Sequence, residues 1–132
     1  MLSPAEAEYL KSQRLARIAT TSRQGEPEVS PVAFEYDGKY FWVGSHDQSI
    51  FFKTRRYKNI KSGNAKVCLV IDDLVSVEPW RPRGIKVRGT AEPMEHTGMF
   101  GEGTYFRITP SVSISWGIEL AKEGQWYSRK KH

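Results

Sequence analysis

The residues best suited to chemistry lie near the middle of the chain, where Gly44-Ser45-His46-Asp47 is followed by Lys53, Arg55, Arg56 and Lys58. A helix entered from a Gly-Ser turn offers unpaired backbone N–H groups and a partial positive charge at its start, and both favour an anion such as phosphate. Cationic side chains a turn or two later can fold back onto the same anion. Arginine does this best, because its planar fork donates two parallel hydrogen bonds. The competing reading is a solvated basic helix face, the commoner fate of a charge run. On these residues alone both readings stay open.

Other reactive residue types offer less. Cys68 is the only cysteine, so no intrachain disulfide can form, and its neighbours Val67, Leu69 and Val70 point to a buried inert thiol. His46, His96 and His132 are scattered without metal-ligand spacing, so no metal site is expected. Asp72-Asp73 could bind metal or share a proton, but reads more simply as a pair of turn residues at a strand end. Gly98, Gly101 and Gly103 lack the order and the βα setting of a dinucleotide fingerprint. Tyr40, Phe41 and Trp42 are consecutive, so they alternate faces and form no single stacking platform, dividing instead between core and interface.

These residues need elements to position them. Ser3, Pro4 and Glu6 make a capping box with proline at the first helical position, which predicts a short helix to about Gln13. Strands are predicted over 15–21, 29–36 and 39–43, the last two joined at Asp37-Gly38, a dipeptide that tolerates a tight hairpin turn. Helical spacing of Ile50, Phe51, Thr54, Tyr57 and Ile60 predicts one helix from about Ser49 to Lys61, stopped by Ser62-Gly63-Asn64. The apolar run Lys66–Ile71 reads as a central strand buried on both faces. A loop with two prolines follows over 72–82, then an alternating half-exposed strand over 85–92. A glycine-rich connector at 98–103 leads to strands over 105–109 and 112–118, and a polar tail. Five or more strands in so short a chain predict a closed or nearly closed antiparallel barrel with short flanking helices.

With 39% hydrophobic and 27% charged residues, the 132-residue chain reads as one domain over 1–132, without internal repeats. No apolar run approaches membrane-spanning length and the first residues lack an apolar signal core, so a cytoplasmic location is the default expectation and no membrane partner is expected. A net charge of +5 could serve nucleic acid, an anionic membrane surface or a small phosphorylated ligand. Arg129, Lys130 and Lys131 read as a frayed, solvated end, which leaves the central cluster as the candidate site.

The segments RIATTSRQGEPEVSPVAFEYDGKYFWVGS, KTRRYKNIKSGNAKVCLVIDD and PRGIKVRGTAE, in that order and spacing, resemble the pyridoxamine 5′-phosphate oxidase-like superfamily of FMN-binding split barrels. The likeness spans roughly residues 10 to 120. Within it, IDDLVSVEPWRPRGIKVRGTAE and YFRITPSVSISWGIE resemble a small branch that uses the deazaflavin coenzyme F420. The resemblance implies a mainly β, antiparallel split barrel and an oxidoreductase holding FMN or F420 between the subunits of a homodimer. It places the cofactor phosphate on Arg55 and Arg56, ahead of Asn59-Ile60, with Lys53 and Lys58 as weaker contributors. It lays the cofactor ring along the main chain of Ser30-Pro31-Val32 and puts Ser45 and His46 at the ribityl-phosphate end. Trp116 would reach the cofactor of the partner subunit.

One departure bears on the activity: a polar residue that the pyridoxamine oxidases hold beside the ring is Gly84 here, and their C-terminal substrate-phosphate residues have no clear counterpart. Cofactor binding is untouched by that, while oxidation of a vitamin B6 phosphate is not expected. No side chain stands out as acid, base or nucleophile, so none is assigned a catalytic role and the reaction with a small-molecule substrate would rest on the cofactor. The alternatives are a non-catalytic module that stores or senses the cofactor, and a barrel that binds nucleic acid by stacking bases beside basic grooves, the latter not favoured as a partner.

Overall fold

The computed structural model of this chain describes residues 1–119 and 123–132. Its elements run α1 (Pro4–Lys11), β1 (Leu15–Thr21), β2 (Pro27–Tyr36), β3 (Phe41–Val43), α2 (Gln48–Phe51), α3 (Arg55–Lys61), β4 (Lys66–Ser76), β5 (Arg81–Gly98), β6 (Gly101–Trp116) and β7 (Ser128–Lys131). The strands form one antiparallel sheet in the order β3-β2-β1-β4-β5-β6-β7, and a further β3–β6 pairing closes six of them into a barrel.

The barrel is split because β6 has two partners in succession. Phe106–Ile108 pair with β3 and Val112–Ser115 pair with β7. On the far side, β3 reaches only Phe34–Tyr36 of β2, so among the described residues Pro27–Ala33 have a strand partner on the β1 side alone. That leaves an open edge along this part of β2, with Pro31 inside it, as a proline in a strand requires.

Alternation builds the core. Ile18, Phe34, Phe41, Leu69, Ile71, Ile85, Val87, Phe106 and Ile108 all turn inward and are buried. At the Asp37-Gly38 turn Gly38 takes φ +100°, while Asp37 Oδ1 accepts from the Lys39 and Tyr40 N–H groups at 2.8 and 2.7 Å. The aspartate side chain thus extends the turn over Lys39 and Tyr40, and β3 starts at Phe41. Phe41 is fully buried, whereas Trp42 lies outside the barrel interior and stacks on His96 with ring centroids 3.7 Å apart.

Several expectations are corrected. The helix expected over 49–61 is two helices, because Thr54 takes an extended conformation and caps α3: its hydroxyl accepts from Tyr57 N at 3.2 Å and donates to Phe51 O at 3.0 Å. β4 is buried on one face only, since Val67, Leu69 and Ile71 point inward while Cys68 and Val70 stay half-exposed on the outer face. Cys68 is therefore not a core residue, although burial still pushes its thiol pKa up, away from the nucleophilic thiolate.

The expected loop over 72–82 is mostly strand. Asp72 and Asp73 pair in register with Gly84 and Arg83, and each aspartate meets an arginine, Arg17 and Arg83 respectively. The 98–103 connector is a two-residue hairpin tip, Met99-Phe100, and the two strands expected after it are one strand, β6. Finally, the basic tail is not frayed. It forms β7, and Lys130 reaches the fully buried carboxylate of Glu6, the residue that also completes the α1 capping box. No helix among the described residues is long and apolar enough to cross a membrane.

Candidate functional site

Arg56 and Ser30 are the two expected site residues that the fold brings together. Arg56 Nη1 donates to Ser30 Oγ at 3.3 Å, joining the first turn of α3 to the open segment of β2. Arg56 is half-buried, its Nε is buried without a partner, and among the described residues no carboxylate lies within ion-pair distance of it. Burial lowers its pKa, the sign of a cation stripped of water without a compensating anion. A guanidinium in that state is costly unless something negative joins it.

The position of Arg56 is fixed from beneath. Asn59, one turn further along α3, is buried and donates from Nδ2 to Thr20 Oγ1 at 3.0 Å, clamping the helix onto β1. The sequence reading assigned Asn59 no contact of its own; a lone polar residue beside Ile60 on the apolar face of a helix is the signal that marks it. Arg55 and Arg56 both occupy the first turn of α3, where no acidic residue offsets them. Cations at that end oppose the helix dipole, so an anion placed there relieves both.

The remaining candidates are spread more widely. Arg55 is exposed and lines a small groove of about 330 Å³ with Asn59, Ser22 and Glu28, so the two arginines are not equivalent. Lys53 is exposed in the break between α2 and α3, and Lys58 is exposed in the last turn of α3. Ser45 is half-buried and its Oγ accepts from Asp47 N at 3.4 Å, while His46 is exposed. Pro31 is exposed on the outer face opposite Arg17, whereas the Val32 side chain is buried in the core, so only its main chain is free to meet a ligand. Trp116 is half-buried at the far end of β6, over Gly84, where an added Cβ would meet its ring at 2.6 Å. A glycine at position 84 therefore makes room for an aromatic side chain of the same subunit. The structure does not bring Trp116 to Arg56 within one chain.

A larger groove, about 940 Å³, runs between α1, the Leu15–Ala33 end of the β1–β2 pair and the Met99-Phe100 tip. No local run of residues marks it, because its walls come from four separate elements.

Three comparisons bear on this geometry. Residues 2–113 match the family model described as pyridoxamine 5′-phosphate oxidase. A Streptomyces rimosus protein, 5a,11a-dehydrotetracycline/5a,11a-dehydrooxytetracycline reductase, is 30% identical over 118 residues, covering 86% of this chain and 82% of its own. Among solved structures, a Clostridium acetobutylicum protein related to general stress protein 26, of the pyridoxinephosphate oxidase family, superposes with TM-score 0.64 at 18% identity, covering 94% of this chain and 89% of its own. HutZ, the heme storage protein of Vibrio cholerae, superposes with TM-score 0.61 at 17% identity over 83% of this chain and 90% of its own. At such identities the two structures speak for the fold alone.

Proposed function

This chain belongs to the pyridoxamine 5′-phosphate oxidase family, and from that membership we propose that it is an oxidoreductase that binds a phosphorylated flavin-type cofactor, F420 or FMN, and acts on a small organic substrate. The observation that carries the proposal is Arg56, a half-buried guanidinium with an orphaned Nε and one serine hydroxyl for company. A phosphate monoester or diester supplies the missing charge and acceptor oxygens, so the residues present fit the group. The 30%-identical relative named as a reductase supports reduction as the direction of the reaction. The branch resemblance and the excess of cations favour the deazaflavin, whose tail carries more negative charge.

In this reading Arg56 and Ser30 hold the phosphate, Asn59 and Thr20 hold Arg56, and the open backbone of Ser30–Val32 lies against the ring. Arg55, Lys53 and Lys58 add a screened field at the rim, with Ser45 and His46 at the ribityl end. The bound cofactor supplies hydride-transfer chemistry; the chain contributes binding, orientation and exclusion of water. The open edge of β2 makes only one wall, which supports a homodimer whose second copy covers the ring and lends Trp116. The outer sheet face suits that role, since Ala19, Cys68, Val70, Ile114 and Trp116 are only half-buried on it.

The test is to titrate the purified protein with F420 and with FMN, following the visible spectrum, and then to assay single-turnover oxidation of the reduced complex. Saturable micromolar binding followed by oxidation on adding an organic acceptor is expected. Binding without any turnover would turn the reading to a cofactor carrier, and no binding of either cofactor would end it.

A further inference from the structure

We infer that the groove between α1, β1–β2 and the β5–β6 tip is a second binding site, fitted to a flat, apolar organic anion such as an aromatic carboxylate. The site rests on the reading above only if its ligand is the substrate of that reaction. At about 940 Å³ the groove is large enough for a small organic ligand. Leu10 and Phe34 floor it, and Leu15, Met99 and Phe100 stand on its rim with 51%, 53% and 42% of their surfaces exposed. Two large apolar residues at a hairpin tip are unusual, since turn positions favour Gly, Asn and Asp.

The tip is also held still. Met99 N donates to the Glu35 carboxylate, and Phe100 N donates to the Tyr105 hydroxyl at 3.1 Å, which in turn donates to Gly101 O at 2.7 Å. Both side chains are thus presented by a pinned backbone, as a preformed wall would be. Charge decides the ligand's sign. Among the described residues Lys11 and Arg14, both lining the groove, make no ion pair. The groove's two carboxylates keep their charges, but both already accept hydrogen bonds, Glu35 from Met99 N and Asp37 from the Lys39, Tyr40 and Trp42 N–H groups, whereas the two cations are exposed. The cations are left for a ligand.

The groove adjoins the proposed ring segment. Ala33, in its lining, is three residues along β2 from Ser30, about 10 Å at the usual rise per residue. A ligand in the groove would therefore lie at the end of the strand segment that carries the cofactor ring.

The probe is 1-naphthoate, with uncharged 1-naphthalenemethanol as its control, each titrated by fluorescence into cofactor-free protein. Saturable binding of naphthoate, tighter than of the alcohol, is expected. Met99→Ser with Phe100→Ser should weaken it by at least about tenfold, the effect of losing two apolar contacts. Arg14→Glu, an exposed substitution that leaves the fold intact, should erase the preference for the anion. FMN affinity should be unchanged in both variants, while Arg56→Ala should leave naphthoate binding unchanged. Unaltered naphthoate binding in the tip variant, or absence of saturable binding, overturns the site. Equal affinity for the alcohol overturns its anionic character. A native protein that binds naphthoate but neither cofactor would sink the redox reading and leave the groove standing.

Discussion

Lys130 and Arg56 are both half-buried cations, and the chain treats them in opposite ways. Lys130 Nζ donates to Glu6 Oε1 at 2.6 Å and to the Glu119 carboxylate. The Glu6 carboxylate is completed by Ser115 Oγ at 2.6 Å and Ser3 N at 2.9 Å. Arg56 has one serine hydroxyl and an orphaned Nε. The first cluster closes its own charges and ties both ends of the chain together through α1, β6 and β7. The second leaves a charge open at the split of the barrel. In the proposed reading the second charge is left open for the phosphate of the cofactor.

The largest effect should come from breaking the closed cluster. Lys130→Ala leaves the Glu6 carboxylate buried with its ion-pair partner gone, and should cost about 3 kcal/mol of unfolding free energy in a urea titration, near the low end for buried pairs because Lys130 retains some exposure. The cluster also predicts a pH profile. Burial by itself raises the Glu6 pKa, but the hydrogen bonds from Lys130, Ser115 and Ser3 outweigh it and hold it below the usual range. A depressed carboxyl stabilises above its unfolded pKa of about 4.3, and that contribution is lost as pH falls through the lower folded value. For Lys130 burial lowers the pKa, yet the bonds to Glu119 and Glu6 raise it overall. Its contribution is therefore full below about pH 10.4 and lost as pH rises through the higher folded value. Urea midpoints of the native protein should form a plateau with a fall at each end, and Lys130→Ala should lessen the alkaline fall without abolishing it, because burial also raises the pKa values of Tyr9 and Tyr36.

A smaller effect is expected at the clamp beneath the open cation. Asn59→Ala removes a buried hydrogen bond and strands the Thr20 hydroxyl, for a cost of about 1–3 kcal/mol. Cofactor affinity should fall with it, since α3 carries Arg56; unchanged affinity would show that α3 is positioned by its packing alone. Cys68→Ala should cost about 1 kcal/mol or less, because the thiol is half-exposed on the outer face, and turnover should survive. The smallest stability effect should be at the open site. Arg56→Ala should lower the unfolding free energy from a urea titration by no more than about 0.5 kcal/mol, or raise it, since it removes a poorly compensated charge. Destabilisation comparable to Lys130→Ala would erase the contrast between the two clusters.

Much of the barrel was legible because its signals are local. The capping box at Ser3 and Glu6, the Asp37-Gly38 turn and the alternation from Ile85 to Ala91 each read out within a few residues. What escaped depends on partners distant in sequence. Glu6 and Lys130 lie at opposite ends of the chain, so a buried ion pair looked like a helix cap and a loose tail. Thr54 split a helix because its hydroxyl bonds the backbone on both sides, which the spacing of apolar residues does not record. In the site, Arg56 was named from residue type and resemblance, but its difference from Arg55 is a matter of burial and appears only in three dimensions.

The central claim, that Arg56 is kept open for the phosphate of a flavin-type cofactor, is tested most directly by removing the phosphate and the arginine in turn. Dissociation constants would be measured for FMN and riboflavin, and for F420 and its phosphate-free chromophore, with the native protein and with Arg56→Ala. The native protein should discriminate for the phosphate by about 1.5–3 kcal/mol, the size of a charge-assisted hydrogen bond, and Arg56→Ala should lose most of that discrimination. Equal discrimination in the two proteins would place the phosphate elsewhere and contradict the account.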